Sequence, residues 1–240
     1  MENGLNYPPK ARFWYWIYYF VAVFANNSKA FQTKIARFGE ISSFIRFIQR
    51  RFPDAKIRIF NNKDSLRKTA IPHVKTLNMN VDVFEFGVAT GTGTRWLLEQ
   101  FGSNLRKFYG FDRFTGLPRD WRGLKRGHFS NGGLPPTIED ERITWFVGDA
   151  EVTLAKNFRG IPELQDTSLN PKFVIFDMDI LEPTLEVYSI LKPTFRVGDW
   201  VLFDEAFDSE NELIVLQMFL NDFKVEVIGV TSEAILCKIS

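Results

Sequence analysis

The chain has 240 residues, 45% of them hydrophobic and 25% charged, which suits one α/β domain with an N-terminal extension. Thirty basic and 29 acidic residues leave a formal net charge of +1, so no overall field favours a nucleic-acid partner. The single cysteine, Cys237, excludes an internal disulfide and a multi-cysteine metal site, and we expect a cytoplasmic protein.

An uncharged apolar run, FWYWIYYFVAVFA, occupies residues 13–25 and follows Lys10 and Arg12. It is too short for a transmembrane helix, which needs about 20 residues. Three interpretations stay open: a helix that packs on the domain or on a second subunit of a homo-oligomer, a helix that contacts a membrane surface, and a signal-peptide core.

The next segment has the periodicity of a helix. Between Ala30 and Phe52 apolar residues recur at spacings of three and four, which predicts a helix that ends near Pro53. His73 follows Pro72 in a helical segment, and we interpret it as structural. Residues 1–78 are therefore predicted to form an N-terminal helical extension, and residues 79–240 the main domain.

From residue 80 onward short apolar strands alternate with helices. The predicted strands are Val81–Phe86, Lys107–Phe111, Ile143–Val147, Phe173–Phe176, Trp200–Phe203, Lys224–Val230 and Ala234–Ile239. Helices are predicted from near Thr92 and over Ala150–Arg159, Pro183–Phe195 and Asn211–Phe223. This alternation indicates a parallel sheet that is covered on both faces. The short connection between the last two strands permits only antiparallel pairing, so the sheet ends in a hairpin.

A carboxylate stands at or near the C-terminal end of each of the first five strands. These residues are Glu85, Asp112, Asp149, Asp177 and Asp204. Helix capping explains one such acid, but hardly five. Because ligands of parallel sheets bind outside these strand ends, the acids predict a rim that faces hydroxyls, amines or a metal ion.

The turn after the first strand reads E-x-G-x-x-x-G-x-G, from Glu85 through Gly87 and Gly91 to Gly93. Glycines let a backbone approach a ligand closely. The spacing differs from the dinucleotide fingerprint, and an acid before the first glycine suits an amine-bearing ligand better than a pyrophosphate. The turn therefore points away from a nicotinamide cofactor.

This turn resembles motif I of class I S-adenosylmethionine-dependent methyltransferases, whose fold also ends in an antiparallel hairpin. The segments GFDRFTGLPRDW (110–121), KRGHFS (125–130) and GGLP (132–135) are similar to the macrocin O-methyltransferase family, and GDAEVTL, DMD and FDE continue the similarity. The resemblance covers Val81 to Glu205. It implies a Rossmann-like, seven-stranded, mostly parallel sheet and methyl transfer from S-adenosylmethionine to a hydroxylated small molecule, such as a natural product or a sugar.

The resemblance also implies cofactor-binding roles. Gly87 and Gly91 would make room for the methionine part, and Glu85 would lie near its amino group. Asp112 would bind the ribose hydroxyls, unless it is only a turn residue. Asp149 would lie near the adenine edge, unless it caps the helix that follows.

A Mg²⁺ site is implied at the ends of the fourth and fifth strands, with Asp177, Asp204 and Glu205 as ligands and Asp179 in reserve. A hard cation prefers oxygen ligands and could lower the pKa of an acceptor hydroxyl. Glu205 departs from the resembled family, where Asp or Asn is more typical, and its extra methylene moves the carboxylate outward.

Two residues are candidates for the general base. Catechol-type enzymes keep a lysine after the fourth strand, but this chain has none there, which leaves Asp177 itself or His128. His128 lies in the aperiodic segment 113–142, whose length predicts a lid or a binding loop. His128 can also be an exposed loop residue without a role. Trp121, Phe129 and Leu134 of this segment could exclude water.

Two other functions stay open. Asp177-Met178-Asp179 is also the D-x-D pattern of a metal-dependent glycosyltransferase. The aromatic run and the unusual Glu205 are compatible with a non-catalytic scaffold that binds a cofactor or associates with a membrane.

Overall fold

A computed structural model describes residues 17, 21, 29–53, 57–76, 79–165, 170–206 and 212–240. The chain forms two compact units, Met1–Asp54 and Ala55–Ser240. The first unit contains helix α1 (Lys29–Arg51), which the apolar periodicity predicted. The aromatic run of residues 13–25 lies, apart from two positions, outside the described residues. No helix in the described ranges is long and apolar enough to cross a membrane.

The second unit is built on a seven-stranded sheet with the order β3-β2-β1-β4-β5-β7-β6. The strands are β1 (Val81–Phe86), β2 (Leu105–Asp112), β3 (Ile143–Val147), β4 (Lys172–Phe176), β5 (Trp200–Phe203), β6 (Val225–Val230) and β7 (Ile235–Ile239). Strands β1 to β5 pair in parallel, and β7 pairs antiparallel with β5 and β6. The predicted Rossmann-like fold with its terminal hairpin is confirmed.

The helices of this unit cover both faces of the sheet. They are α2 (Lys63–Arg67), α3 (Ala70–Thr76), α4 (Thr92–Phe101), α5 (Ala150–Asn157), α6 (Pro162–Gln165), α7 (Leu181–Leu191) and α8 (Glu212–Asp222). Helices α2 to α4 bury apolar side chains in one core with β1, β2, β4 and β5. Helix α8 packs Phe219 against Phe203 on the opposite face, at 5.6 Å between ring centroids.

A row of phenylalanines crosses that opposite face. Phe86 stacks on Phe111 and Phe176 with centroid distances of 4.7 and 6.0 Å, and Phe176 stacks on Phe203 at 4.9 Å. All four rings are buried. These phenylalanines therefore form the core beneath the strand ends, and their packing holds this edge of the sheet in place.

The segment before α2 is attached to the edge strand β6. The Phe60 amide donates to the Val230 carbonyl at 2.8 Å, and the Val230 amide donates to the Arg58 carbonyl at 2.9 Å. Gly229 makes room for this contact, since a Cβ there would lie 2.4 Å from the Phe60 ring. The second unit, which begins at residue 55, therefore includes this segment. Pairing between such distant segments leaves no local sequence pattern.

Candidate functional site

A cavity of about 820 Å³ opens at the C-terminal ends of the parallel strands. All five strand-end carboxylates line it, so the structure brings together the residues that the sequence placed on one rim. Among its described lining residues nine are acidic and four are basic. The acidic ones are Glu85, Asp112, Asp149, Glu151, Asp177, Asp179, Glu182, Asp204 and Glu205, and the basic ones are Lys63, Arg67, Arg113 and Arg119.

The glycine turn after β1 forms one wall. Gly87 has a φ of +94°, and a Cβ there would lie 1.7 Å from the carbonyl oxygen of Asp177. Gly91 has a φ of +74°, and a Cβ there would lie 2.7 Å from Cγ of Pro136. Both glycines are therefore required by the fold itself: one lets β1 approach β4, and the other lets the long loop approach the turn.

Asp112 is bound to the backbone of this turn. Its Oδ2 accepts hydrogen bonds from the amides of Val88 and Ala89, both at 2.8 Å, and its Oδ1 accepts one from Phe114 at 2.5 Å. A carboxylate has about four acceptor positions, so capacity for one further donor remains. The role as a turn residue and the role as a ribose ligand are thus compatible.

Glu85 lies buried beneath the turn, 2% exposed. Its Oε2 accepts a hydrogen bond from the Thr94 hydroxyl at 2.5 Å. Burial raises the pKa of Glu85 to about 7, although the Thr94 hydrogen bond and the Arg67 charge oppose the shift. Gly93 leaves space for this carboxyl, since a Cβ there would lie 2.8 Å from Glu85 Oε1.

Arg67 lines the same end of the cavity and is only 6% exposed. Within the described part of the chain its buried Nε has no hydrogen-bond partner. A buried donor without a partner costs about 1–3 kcal/mol, so this guanidinium is suited to an anionic group of a ligand.

At the ends of β4 and β5 the carboxylates of Asp177 and Asp204 lie side by side. The Lys63 ammonium donates a hydrogen bond to Asp204 Oδ2, and Glu233 lies 3.9 Å from the same ammonium. Burial and the neighbouring Asp204 raise the pKa of Asp177 well above its usual range. Asp204 is 1% exposed, and within the described ranges its Oδ1 has no hydrogen-bond partner.

Glu205 turns toward a cation of the long loop. Arg122 Nη1 donates to Glu205 Oε2 at 2.6 Å, and the Glu205 amide donates to Glu212 Oε2 at 3.0 Å. Burial raises the pKa of Glu205 to about 7, against the opposing charge of Arg122. Asp179 has a φ of +61°, a costly conformation for a residue other than glycine, and burial raises its pKa to about 6.

This arrangement does not fit the predicted Mg²⁺ site. Two of the three predicted ligands, Asp204 and Glu205, are paired with Lys63 and Arg122. In the described residues no group of three His, Cys, Asp or Glu side chains is arranged to hold a metal ion. A divalent cation would have to displace charges that belong to the chain.

The segment 113–142 forms no helix or strand, as predicted, and several of its residues line the cavity. Trp121 and Phe129 line the cavity, while Leu134 is 69% exposed and is not among the lining residues. His128 is exposed and is also not among them, although its ring contacts Phe129 at 4.4 Å between centroids. Of the two candidate bases, only Asp177 faces the cavity.

Asp149 lies at the outer end of the cavity. It occupies the N-cap position of α5 without a side-chain capping bond, and its Oδ1 lies 3.0 Å from Arg113 Nε. The carboxylate is about half exposed and available to a ligand.

Four charged residues of the site were not predicted from the sequence: Lys63, Arg67, Arg122 and Glu212. Lys63 and Arg67 are spaced i, i+4, which only indicates one face of a helix and is common in exposed helices. The buried Glu212 accepts from a backbone amide beside the site, and burial raises its pKa well above the usual range.

No protein-family model matches the chain, and no curated protein sequence matches it. Among solved structures it is similar to apo CalS11, a TDP-rhamnose 3'-O-methyltransferase of calicheamicin biosynthesis, at 21% identity over 73% of this chain and 78% of that chain, with a TM-score of 0.52. It is also similar to the O-methyltransferase NovP, at 17% identity over 74% and 80% of the two chains and a TM-score of 0.48. The similarity to CalS11 shows that the chain has the Rossmann-like fold of that methyltransferase.

Proposed function

We propose that the protein is an S-adenosylmethionine-dependent methyltransferase that acts on a hydroxyl oxygen of a small molecule, such as a natural product or a sugar. The observation that carries this proposal is the acidic cavity, with its glycine turn and the buried Glu85 beneath it. The fold supports it, although one fold hosts many activities and does not determine the reaction.

The charge of the cavity favours a cationic ligand. Nine acidic against four basic residues in its described lining create a negative potential at the strand ends. S-adenosylmethionine carries a sulfonium and an ammonium group, whereas a nucleotide sugar or a dinucleotide carries phosphates. The same charge counts against the glycosyltransferase alternative, and no group of three His, Cys, Asp or Glu side chains in the described residues is arranged to hold the metal that its D-x-D requires.

We propose the following cofactor contacts. Glu85 binds the amino group of the methionine part, and Arg67 binds its carboxylate, because these two opposite charges lie at the same end of the cavity. Gly87 and Gly91 leave the adjoining backbone open to the ligand. Asp112 accepts from the ribose through its remaining acceptor position, and Asp149 lies near the adenine edge.

When bound, the cofactor supplies an electrophilic methyl group. The chain has to align the acceptor, exclude water and take up the hydroxyl proton. Trp121 and Phe129 present aromatic surface over the cavity and exclude water. We propose Asp177 as the base, since of the two candidates only its carboxyl lines the cavity, and His128 as the second candidate.

Calorimetry with S-adenosylmethionine and with NADH tests the cofactor. We expect heat only with the sulfonium compound, and loss of binding in Gly91→Val, because any side chain there meets Pro136. Methyl transfer from labelled cofactor to a panel of hydroxylated compounds then tests the reaction. Binding without transfer to any acceptor would indicate the non-catalytic scaffold, and heat with NADH alone would refute the proposal.

A further inference from the structure

Lys63 reaches the carboxylates of the cavity from outside the sheet. Asn62 is the N-cap of α2, the helix that carries Lys63, and its Oδ1 accepts a hydrogen bond from the Ser65 amide at 2.8 Å. The attachment of Phe60 to β6 holds the start of this helix at the sheet. The capped helix and its attachment to the sheet therefore fix the Lys63 ammonium beside Asp204.

The ammonium lies where a divalent cation would need to bind. Asp204 pairs with the Lys63 ammonium through its Oδ2, so a metal ion at this oxygen would have to displace the lysine. Glu205, which is the other predicted ligand on β5, is held by Arg122. The side chain of Asp204 is 2% exposed, so its charge has to be balanced locally.

We propose that the Lys63 ammonium is the resident cation of this carboxylate site, that it takes the place of a divalent metal, and that it positions Asp204 and Asp177 toward the acceptor. The positioning role rests on the methyl-transfer function proposed above. The exclusion of a metal rests only on the contacts of Lys63.

Electron paramagnetic resonance of Mn²⁺ titrated into the full chain tests the exclusion. We expect the wild type and Asp204→Asn to leave the same fraction of Mn²⁺ free up to millimolar concentration. Lys63→Met keeps most of the side-chain volume and removes the charge, so we expect it to bind one Mn²⁺ at least tenfold more tightly than the wild type. Adding Asp204→Asn to Lys63→Met should abolish that gain.

Lys192→Met is the matched control, because it removes a lysine that is paired with Asp222 at 2.7 Å and that does not line the cavity. It should gain no Mn²⁺. Circular dichroism confirms that each variant is folded. Lys63→Arg, which restores the charge, should leave Mn²⁺ free again.

Two results would overturn the inference: wild-type Mn²⁺ binding that Asp204→Asn abolishes, or a folded Lys63→Met that gains none. If Lys63→Met does not fold, the comparison of wild type with Asp204→Asn still decides. The methyl-transfer proposal is tested separately by the calorimetry with S-adenosylmethionine. That experiment contains no metal, so its result does not depend on the Mn²⁺ titrations.

Discussion

The substitution Glu85→Gln should stabilise the protein at high pH and weaken cofactor binding at the same time. Burial gives Glu85 a pKa of about 7 in place of its ordinary 4.5. A carboxyl whose pKa is raised by folding makes its full contribution to the stability of the protein below its unfolded pKa. This contribution is lost as the pH rises through the folded pKa. The cost of the ionised Glu85 thus develops between about pH 4.5 and pH 7.

The magnitude follows from that difference in pKa. At pH 8 the ionised carboxyl costs the fold about 3 kcal/mol, to order of magnitude, and glutamine avoids this cost because it stays neutral. In a domain of this size about 1 kcal/mol changes the Tm by about 2–4 °C. We expect Glu85→Gln to raise the Tm by several degrees at pH 8 and to change it little at pH 5.

Cofactor affinity should change in the opposite direction. If Glu85 binds the amino group of the cofactor, its replacement removes a charged hydrogen bond worth about 1.5–3 kcal/mol. This corresponds to a Kd at pH 8 that is roughly 10 to 150 times higher. Calorimetry at pH 8 measures this loss, and thermal melts from pH 5 to pH 8 measure the stability.

Glu163→Gln provides a control of opposite sign. Glu163 is also buried, but hydrogen bonds from Tyr109 and Arg106, both at 2.6 Å, outweigh the effect of burial and lower its pKa. Its replacement should therefore destabilise the protein at neutral pH and leave cofactor affinity unchanged. An equal shift of the Tm at pH 5 and pH 8 in Glu85→Gln would refute the raised pKa of Glu85.

Three further substitutions test the site. Gly87→Ala should lower the free energy of unfolding in urea by about 3 kcal/mol or more, since its Cβ meets the Asp177 carbonyl. The control Gly123→Ala, at a similar φ but in open space, should lower it by about 1 kcal/mol, and equal losses would contradict this expectation. Asp112→Ala leaves three amides without their acceptor and should lower both the Tm and cofactor affinity, measured by melting and calorimetry. Asp177→Asn should lower kcat about 100-fold or more with cofactor Kd unchanged, while an equal loss in His128→Ala would move the base to the loop.

Most of the fold could be predicted from the sequence because its signals are local. The strands β1, β3 and β5 were predicted to the residue, since each is a short apolar run bounded by turn residues. The extra length predicted for the helices after β3 and β4 corresponds to 3₁₀ turns over Phe158–Gly160 and Lys192–Thr194. Such turns continue an apolar pattern without continuing the α-helix.

The acids of the site were predictable for a similar reason, since the ends of parallel strands meet at one edge. The basic residues that pair with these acids could not be predicted. Lys63 and Arg122 come from a five-residue helix and an aperiodic loop, and nothing in either segment specifies which carboxylate it meets. The metal prediction failed to fit for this reason: the sequence displays the negative charges but not the lysine and arginine that neutralise them.

The pairing of Phe60 with Val230 also affects how the protein is made. Synthesis proceeds from the N-terminus, so the helix that bears Lys63 is made before β1, but the strand that holds its base to the sheet is made after β5. Until Val230 has left the ribosome, the nascent chain can form β1 to β5 without the attachment that holds Lys63 beside Asp204. We therefore expect the binding cavity to mature only after translation has passed the terminal hairpin, and truncation before Val230 to disable a site that lies far from the cut.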